Sequence, residues 1–211
     1  MSVILEKALT HLNTSDGFFT VFGCDPGPEH SALVHTSIVR DVMGRKRAHL
    51  VGAWYPENKD LAGLMKEVLH PGSMWRRSYA FLAIEKCGQQ GCSPGESVFE
   101  TAAMYGEIRQ LFRPIPTYAL RSSEWRHALT GVGNANTPAV YEAVKQFFDP
   151  TGRGADAYKG TKAKPGPLWG LHEAGKGGNV EHLKDALGAA LGLTMIRFRS
   201  GVDPEAYRRE W

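Results

Sequence analysis

The chain has 211 residues, 42% of them hydrophobic and 22% charged, which excludes a disordered or fibrous protein and fits one compact domain over residues 1–211. Lys and Arg number 25 against 22 Asp and Glu, a net charge of +3; this permits nucleic-acid binding without requiring it, so the distribution of charge must decide. No run approaches the roughly 18 apolar residues of a membrane span, and Met1 to Asp16 is of mixed charge rather than laid out as a signal peptide. Three cysteines suit a reducing compartment, so the expectation is a cytoplasmic protein with no membrane partner.

Phe18 to Cys24 is an almost unbroken apolar run that stops at Asp25-Pro26-Gly27, and Tyr79 to Ile84 is a second that stops at Glu85. Such runs belong to strands in the middle of a sheet covered on both faces. Between them, Ser31 to Arg40 and Arg47 to Trp54 read as strands, with Met43-Gly44-Arg45-Lys46 as their hairpin turn. Asp60 to Leu69 is a short amphipathic helix (Leu61, Leu64, Met65, Val68) closed by His70-Pro71-Gly72. Ser97 to Phe112 predicts a helix with Val98, Ala102, Tyr105 and Phe112 near one face. A short strand follows at Thr117 to Leu120, then a helix capped by Ser123 and another opened by Thr137-Pro138 and running through Phe148. Asn179 caps a last helix, Val180 to Met195, striped by Leu183, Leu187 and Leu191. Pro150 to Gly178 fits none of these patterns; rich in glycine and carrying Arg153, Lys159, Lys162, Lys164 and Lys176 against Asp156 and Glu173, it predicts a long basic surface loop that orders on a ligand. The fold class is α/β.

Two central strands that each end in an acid bring Asp25 and Glu85 to the edge where open α/β sheets bind ligands. Carboxylates gathered there repel one another, and a shared proton, a basic partner or a divalent cation must offset the repulsion. In Glu181-His182-Leu183-Lys184-Asp185-Ala186 the histidine and aspartate are three apart and share a helix face. The small residues Ala186, Gly188, Ala189, Ala190 and Gly192 let that helix approach the sheet closely. Three carboxylates and an imidazole would make an oxygen-rich site suited to Mg²⁺ or Mn²⁺.

Gly23-Cys24-Asp25-Pro26-Gly27, the apolar strand ending in Glu85, the segment Ser123-Glu124-Trp125-Arg126-His127-Ala128-Leu129-Thr130-Gly131, and His182-x-x-Asp185-Ala186 together resemble the RuvC-type Holliday junction resolvases of the RNase H-like superfamily. The resemblance runs over about residues 17 to 196 in the right order, and suits a divergent, phage-borne member. It implies a mixed sheet of three antiparallel strands joined to parallel ones and flanked by helices. It also implies a homodimer that nicks two strands of a four-way DNA junction symmetrically, in a bacterial cytoplasm or that of a phage host. By position, Asp25, Glu85 and Asp185 are then the metal-binding carboxylates, and His182 stands where the family has an acid or a histidine. Two cations about 4 Å apart would activate water and stabilise the leaving oxygen. An aromatic that often follows the strand-end glutamate in the family is missing, and Gln89 and Gln90 are expected to contact bases or the crossover instead.

Phosphate contacts dominate DNA affinity, so cations near the site are candidates: Arg76, Arg77, Lys86, Arg121, Arg126, and the loop lysines Lys159, Lys162 and Lys164. Cys87 and Cys92 lack a second pair of soft ligands and read as free thiols, not a zinc site. Trp75, Phe99 and Tyr105 read as core or groove aromatics. Two other classes stay in view. A non-catalytic branched-DNA-binding protein would not need all four site residues, and a nucleotide-hydrolysing actin-like fold would need a second glycine-rich phosphate loop and a longer chain.

Overall fold

The computed structural model describes residues 19–40, 45–69, 79–86, 96–113, 115–154 and 157–197. Strands β1 (Phe19–Pro26), β2 (Ser31–Arg40) and β3 (Lys46–Trp54) are followed by helix α1 (Asn58–Val68) and strand β4 (Tyr79–Glu85). Then come α2 (Glu96–Leu111), β5 (Thr117–Leu120), α3 (Ser122–Thr130), α4 (Thr137–Lys145), α5 (Trp169–Ala174) and α6 (Val180–Arg197). The sheet order is β3-β2-β1-β4-β5. β1 pairs antiparallel with β2 and β2 with β3, while β4 runs parallel to β1 and β5 parallel to β4. This is the mixed sheet that the resemblance implies.

Both faces of the sheet are covered, which is why its middle strands are continuously apolar. Phe19, Val21, Val34, Phe81 and Ala83 pack on one side with α3, α4 and α6, where Trp125, Val140, Val144, Leu183, Leu187 and Leu191 are buried. Phe22, Cys24, Leu33, Leu82 and Ile84 pack on the other with Leu61 and Met65 of α1 and Met104 and Ile108 of α2. The buried stripe of α2 is Met104, Ile108 and, just beyond it, Phe112; of the expected face Phe112 is buried, Tyr105 packs against this core and Val98 is half-buried, while Ala102 is exposed. Phe99 is 64% exposed, so it is no core aromatic.

Close approach between α6 and the sheet depends on a strand glycine. A Cβ on Gly23 would lie 1.9 Å from the Ala186 carbonyl oxygen. The glycines of α6 serve another neighbour: Cβ atoms on Gly188 and Gly192 would each fall 2.6 Å from Trp125 of α3. The small-residue stripe thus seats an indole as well as a sheet.

Local caps differ slightly from expectation. α3 starts at Ser122, its entry fixed by the Arg121 N–H donating to Glu124 Oε2 at 2.7 Å. Asn136 caps α4, accepting from Ala139 N–H at 3.0 Å, and α4 ends at Lys145, short of Phe148.

Pro150 to Gly178 is not a plain surface loop. It holds the short helix α5, and Leu168 and Leu171 are completely buried against the main core because they supply apolar area beside β3 and α6. The core of the hairpin turn at Met43 and Gly44, Trp75, Cys87 and Cys92 lie outside the described residues.

Candidate active site

Side chains alternate across a strand. In β1, Phe19 and Val21 face α6 while Phe22 and Cys24 face away, so Asp25 falls on the α6 side. In β4, Phe81 and Ala83 face α6, and two residues further so does Glu85. Cys24 pairs with Ile84 in parallel register, which puts both acids at neighbouring strand ends on one face. α6, held down at Gly23, supplies His182 and Asp185 above them.

Each acid has one oxygen on a protein donor. His182 Nδ1 lies 2.9 Å from Asp25 Oδ2. Trp125 Nε1 donates to Glu85 Oε2 at 3.2 Å. Arg126 Nη2 donates to Asp185 Oδ2 at 3.1 Å. The other oxygen of Asp185, Oδ1, is buried and has no hydrogen-bond partner.

The electrostatics are those of crowded carboxylates. Burial, then the charges of Asp25 and Asp185, push Glu85 up to about 7 against the opposing bonds from Trp125 and Ser122. Burial also pushes Asp185 up to about 6, although Arg126 pulls the other way. The hydrogen bond to Asp25 is the main cause that raises His182, favouring its imidazolium form. The His182 ring stacks on Tyr55 at 5.7 Å between centroids, and Tyr55 stacks in turn on His30 at 5.2 Å. Asn58 straps the turn after Asp25, donating from Nδ2 to Gly27 O at 3.0 Å and to Pro28 O at 2.9 Å.

A divalent cation suits this donor set: hard carboxylate oxygens, one of them buried without a partner, and two acids held up by burial and then by neighbouring negative charge. The closed cluster expected from the sequence is nevertheless not formed. Among the described residues no group of three or more His, Cys, Asp or Glu side chains is arranged to hold a metal ion. His182, Trp125 and Arg126 instead each hold one acid, Asp25, Glu85 and Asp185 respectively.

The structure brings Asp25, Glu85, His182 and Asp185 to one edge, as their spacing predicts. Lys86 is exposed just beyond Glu85, and Arg121 is exposed at the start of α3. Arg126 is turned inward, with its guanidinium also donating to Ser122 Oγ at 2.9 Å and Ala135 O at 2.6 Å. Lys159, Lys162 and Lys164 are all exposed. Arg76, Arg77, Gln89 and Gln90 lie outside the described residues. Sequence reasoning missed Tyr55, Asn58 and the role of Trp125. For Trp125 a signal existed, since an indole in a polar helix followed by a pair of glycines four apart on another helix is a packing match.

The fold is that of RuvC. The structure resembles Thermus thermophilus RuvC in complex with a Holliday junction substrate, with a TM-score of 0.57 and 20% identity over 84% of this chain and 94% of that one. It resembles another structure of Thermus thermophilus RuvC at a TM-score of 0.56 and 23% identity, covering 87% of this chain and 97% of the other. The chain matches no protein-family model and no curated protein sequence. No helix among the described residues is long and apolar enough to cross a membrane.

Proposed function

We propose that this chain is a metal-dependent, structure-specific DNA endonuclease that resolves four-way junctions by paired symmetric nicks, acting as a homodimer. The observation that carries this reading is the meeting of Asp25, Glu85, His182 and Asp185 at one edge of a RuvC-like sheet.

Asp25, Glu85 and Asp185 would hold the cations, Mg²⁺ or Mn²⁺ and two per site, with His182 as an additional nitrogen donor. Bound divalent cations supply charge neutralisation at a phosphodiester and a nucleophilic water at neutral pH. The rest is done by the chain. Trp125 fixes the Glu85 carboxylate from the side, and Arg126 fixes Asp185. His182, on Asp25 and 58% exposed along its side chain, is placed to take or return a proton at the solvent-facing edge of the site. Lys86 and Arg121 present exposed charge next to the strand end, where a phosphate backbone would pass.

The test is to incubate a mobile four-way junction and a matching linear duplex with the protein and Mg²⁺. Paired nicks confined to the junction are expected, and Asp25→Asn or Asp185→Asn should abolish them while junction binding persists. Binding without cleavage by the unaltered protein would make it a branched-DNA-binding protein, and nucleotide hydrolysis would make it an ATPase.

A further inference from the structure

Residues 157–168 form a tight, anchored finger. Leu168 N–H donates to Tyr158 O at 2.9 Å and Gly166 N–H to Lys159 O at 3.0 Å, with Gly160 bridged to Pro165. At the tip, Thr161 N–H donates to Lys164 O at 3.0 Å, and Lys164 N–H returns to Thr161 O at 3.1 Å. Two glycines are needed for this shape. Gly160 has φ +70°, and a Cβ there would lie 2.3 Å from Gly166 N; a Cβ on Gly166 would lie 2.3 Å from Tyr158 O. The base is held by Ala157 and Leu168, both buried in the core.

The finger carries Lys159, Lys162 and Lys164 and no acidic residue between Ala157 and Leu168. Its base continues into cation–ring contacts that lead to α6, the helix that carries His182 and Asp185. Lys145 Nζ stands 5.6 Å from the Tyr158 ring centre and 5.1 Å from that of Tyr141. Lys184 Nζ stands 4.8 Å from Tyr141, and Lys184 immediately precedes Asp185. Lys145 and Lys184 are each met by a glutamate, Glu142 and Glu181, whereas the finger has no carboxylate of its own.

We infer that this finger is a preformed docking element for the sugar-phosphate backbone of a DNA arm entering the acid site. The inference rests on the proposed DNA substrate and adds the element that grips it. A backbone already fixed need not be ordered on binding, so only the lysine side chains lose freedom there. Contacts of this kind read phosphates, not bases, so they serve any arm sequence.

The experiment uses the full-length protein in chelator, so that cleavage is silent, and a labelled four-way junction titrated over a series of salt concentrations. Three proteins are compared: the unaltered chain, the triple variant K159Q/K162Q/K164Q, and Gly160→Val with all lysines kept. Circular dichroism checks the fold of each. The triple variant should bind roughly tenfold or more weakly, with a plot of log affinity against log salt shallower by about 2 to 3. Gly160→Val should lose a similar share of affinity although its charge is unchanged. Unaltered affinity and slope in the triple variant would overturn the proposal. So would full affinity in Gly160→Val, because a merely basic loop would then suffice. The resolvase reading fails separately: an unaltered chain that shows the finger's salt dependence yet never nicks the junction with Mg²⁺ sinks that reading alone.

Discussion

Gly23 of β1 and Ala186 of α6 approach so closely that a Cβ on the glycine would stand 1.9 Å from the Ala186 carbonyl oxygen and 2.9 Å from Ala190 Cβ. The contact lies two residues before Asp25 and one after Asp185, so it sets how far apart the strand acids and the helix acid can be. Backbone cannot yield as a side-chain tip can. Gly23→Val should destabilise the protein by about 1–3 kcal/mol or more and remove nicking even in the fraction that stays folded. Denaturant midpoint and nicking are read on one preparation; an unchanged midpoint with full nicking would mean that the acids do not depend on this spacing.

Trp125 joins core and site. Its ring is fully buried over Gly188, its Cβ and backbone lie over Gly192, and its Nε1–H reaches Glu85. Trp125→Phe keeps most of the packing and deletes the donor, with an expected loss of about 1 kcal/mol and a fall in nicking larger than stability explains. Trp125→Ala opens a cavity and should cost about 3–5 kcal/mol. Equal nicking by Trp125→Phe and the unaltered chain would reduce Trp125 to a packing residue.

The strands, and the positions of Asp25, Glu85, His182 and Asp185 at one sheet edge, are legible in the sequence because their causes are local. An apolar run closed by an acid marks a buried strand end, and His182 and Asp185 three apart share a helix face. What stayed hidden depends on partners distant in the chain. Tyr55 matters only because β3 delivers it between His30 and His182, and Gly188 only because α3 places Trp125 over it. Leu168 and Leu171 sit in a glycine-rich, basic stretch with too few apolar residues to show a period, yet two anchors suffice to pin it to the core. Met104 and Ile108 join Tyr105 and Phe112 on the buried side of α2 in place of Ala102, because α2 carries small and apolar residues all round and its sequence marks no sharp face.

Metal-free protein should lose stability as pH rises. Glu85 is raised from 4.5 to about 7, Asp185 from 3.8 to about 6, and His182 is raised as well. The folded state therefore keeps protons that the unfolded chain releases, and stability declines from about pH 4 through 7. The histidine acts with the same sign: its contribution is complete below its ordinary range and is lost as pH passes its raised value. Glu85 alone accounts for on the order of 3 kcal/mol at most. In chelator the urea midpoint should be lower near about pH 8 than near about pH 5, and Glu85→Gln should narrow the gap. Saturating Mn²⁺ should restore the midpoint chiefly at the higher pH, where the carboxylates are free to bind it. A midpoint that climbs over this interval would contradict the crowding of the acids.

Arg126 is engaged within the fold at every edge of its guanidinium. Nη2 holds Asp185, Nε holds Ser122, Nη1 holds the Ala135 carbonyl, and the group lies 4.7 Å from the Trp125 ring centre. Its side chain is 16% exposed, which leaves little of it to meet a phosphate. Arg126→Met would strip the last donor from Asp185, whose Oδ1 already has none, and should cost about 2–3 kcal/mol. Arg126→Lys should recover only part of this, because an ammonium cannot span three fixed acceptors as a planar fork does. Junction binding in chelator should change less than about twofold in either variant, since no phosphate contact is removed, while nicking falls. If metal-free binding collapses and nicking per bound complex is unchanged, Arg126 is instead a DNA contact that releases Asp185 when substrate arrives.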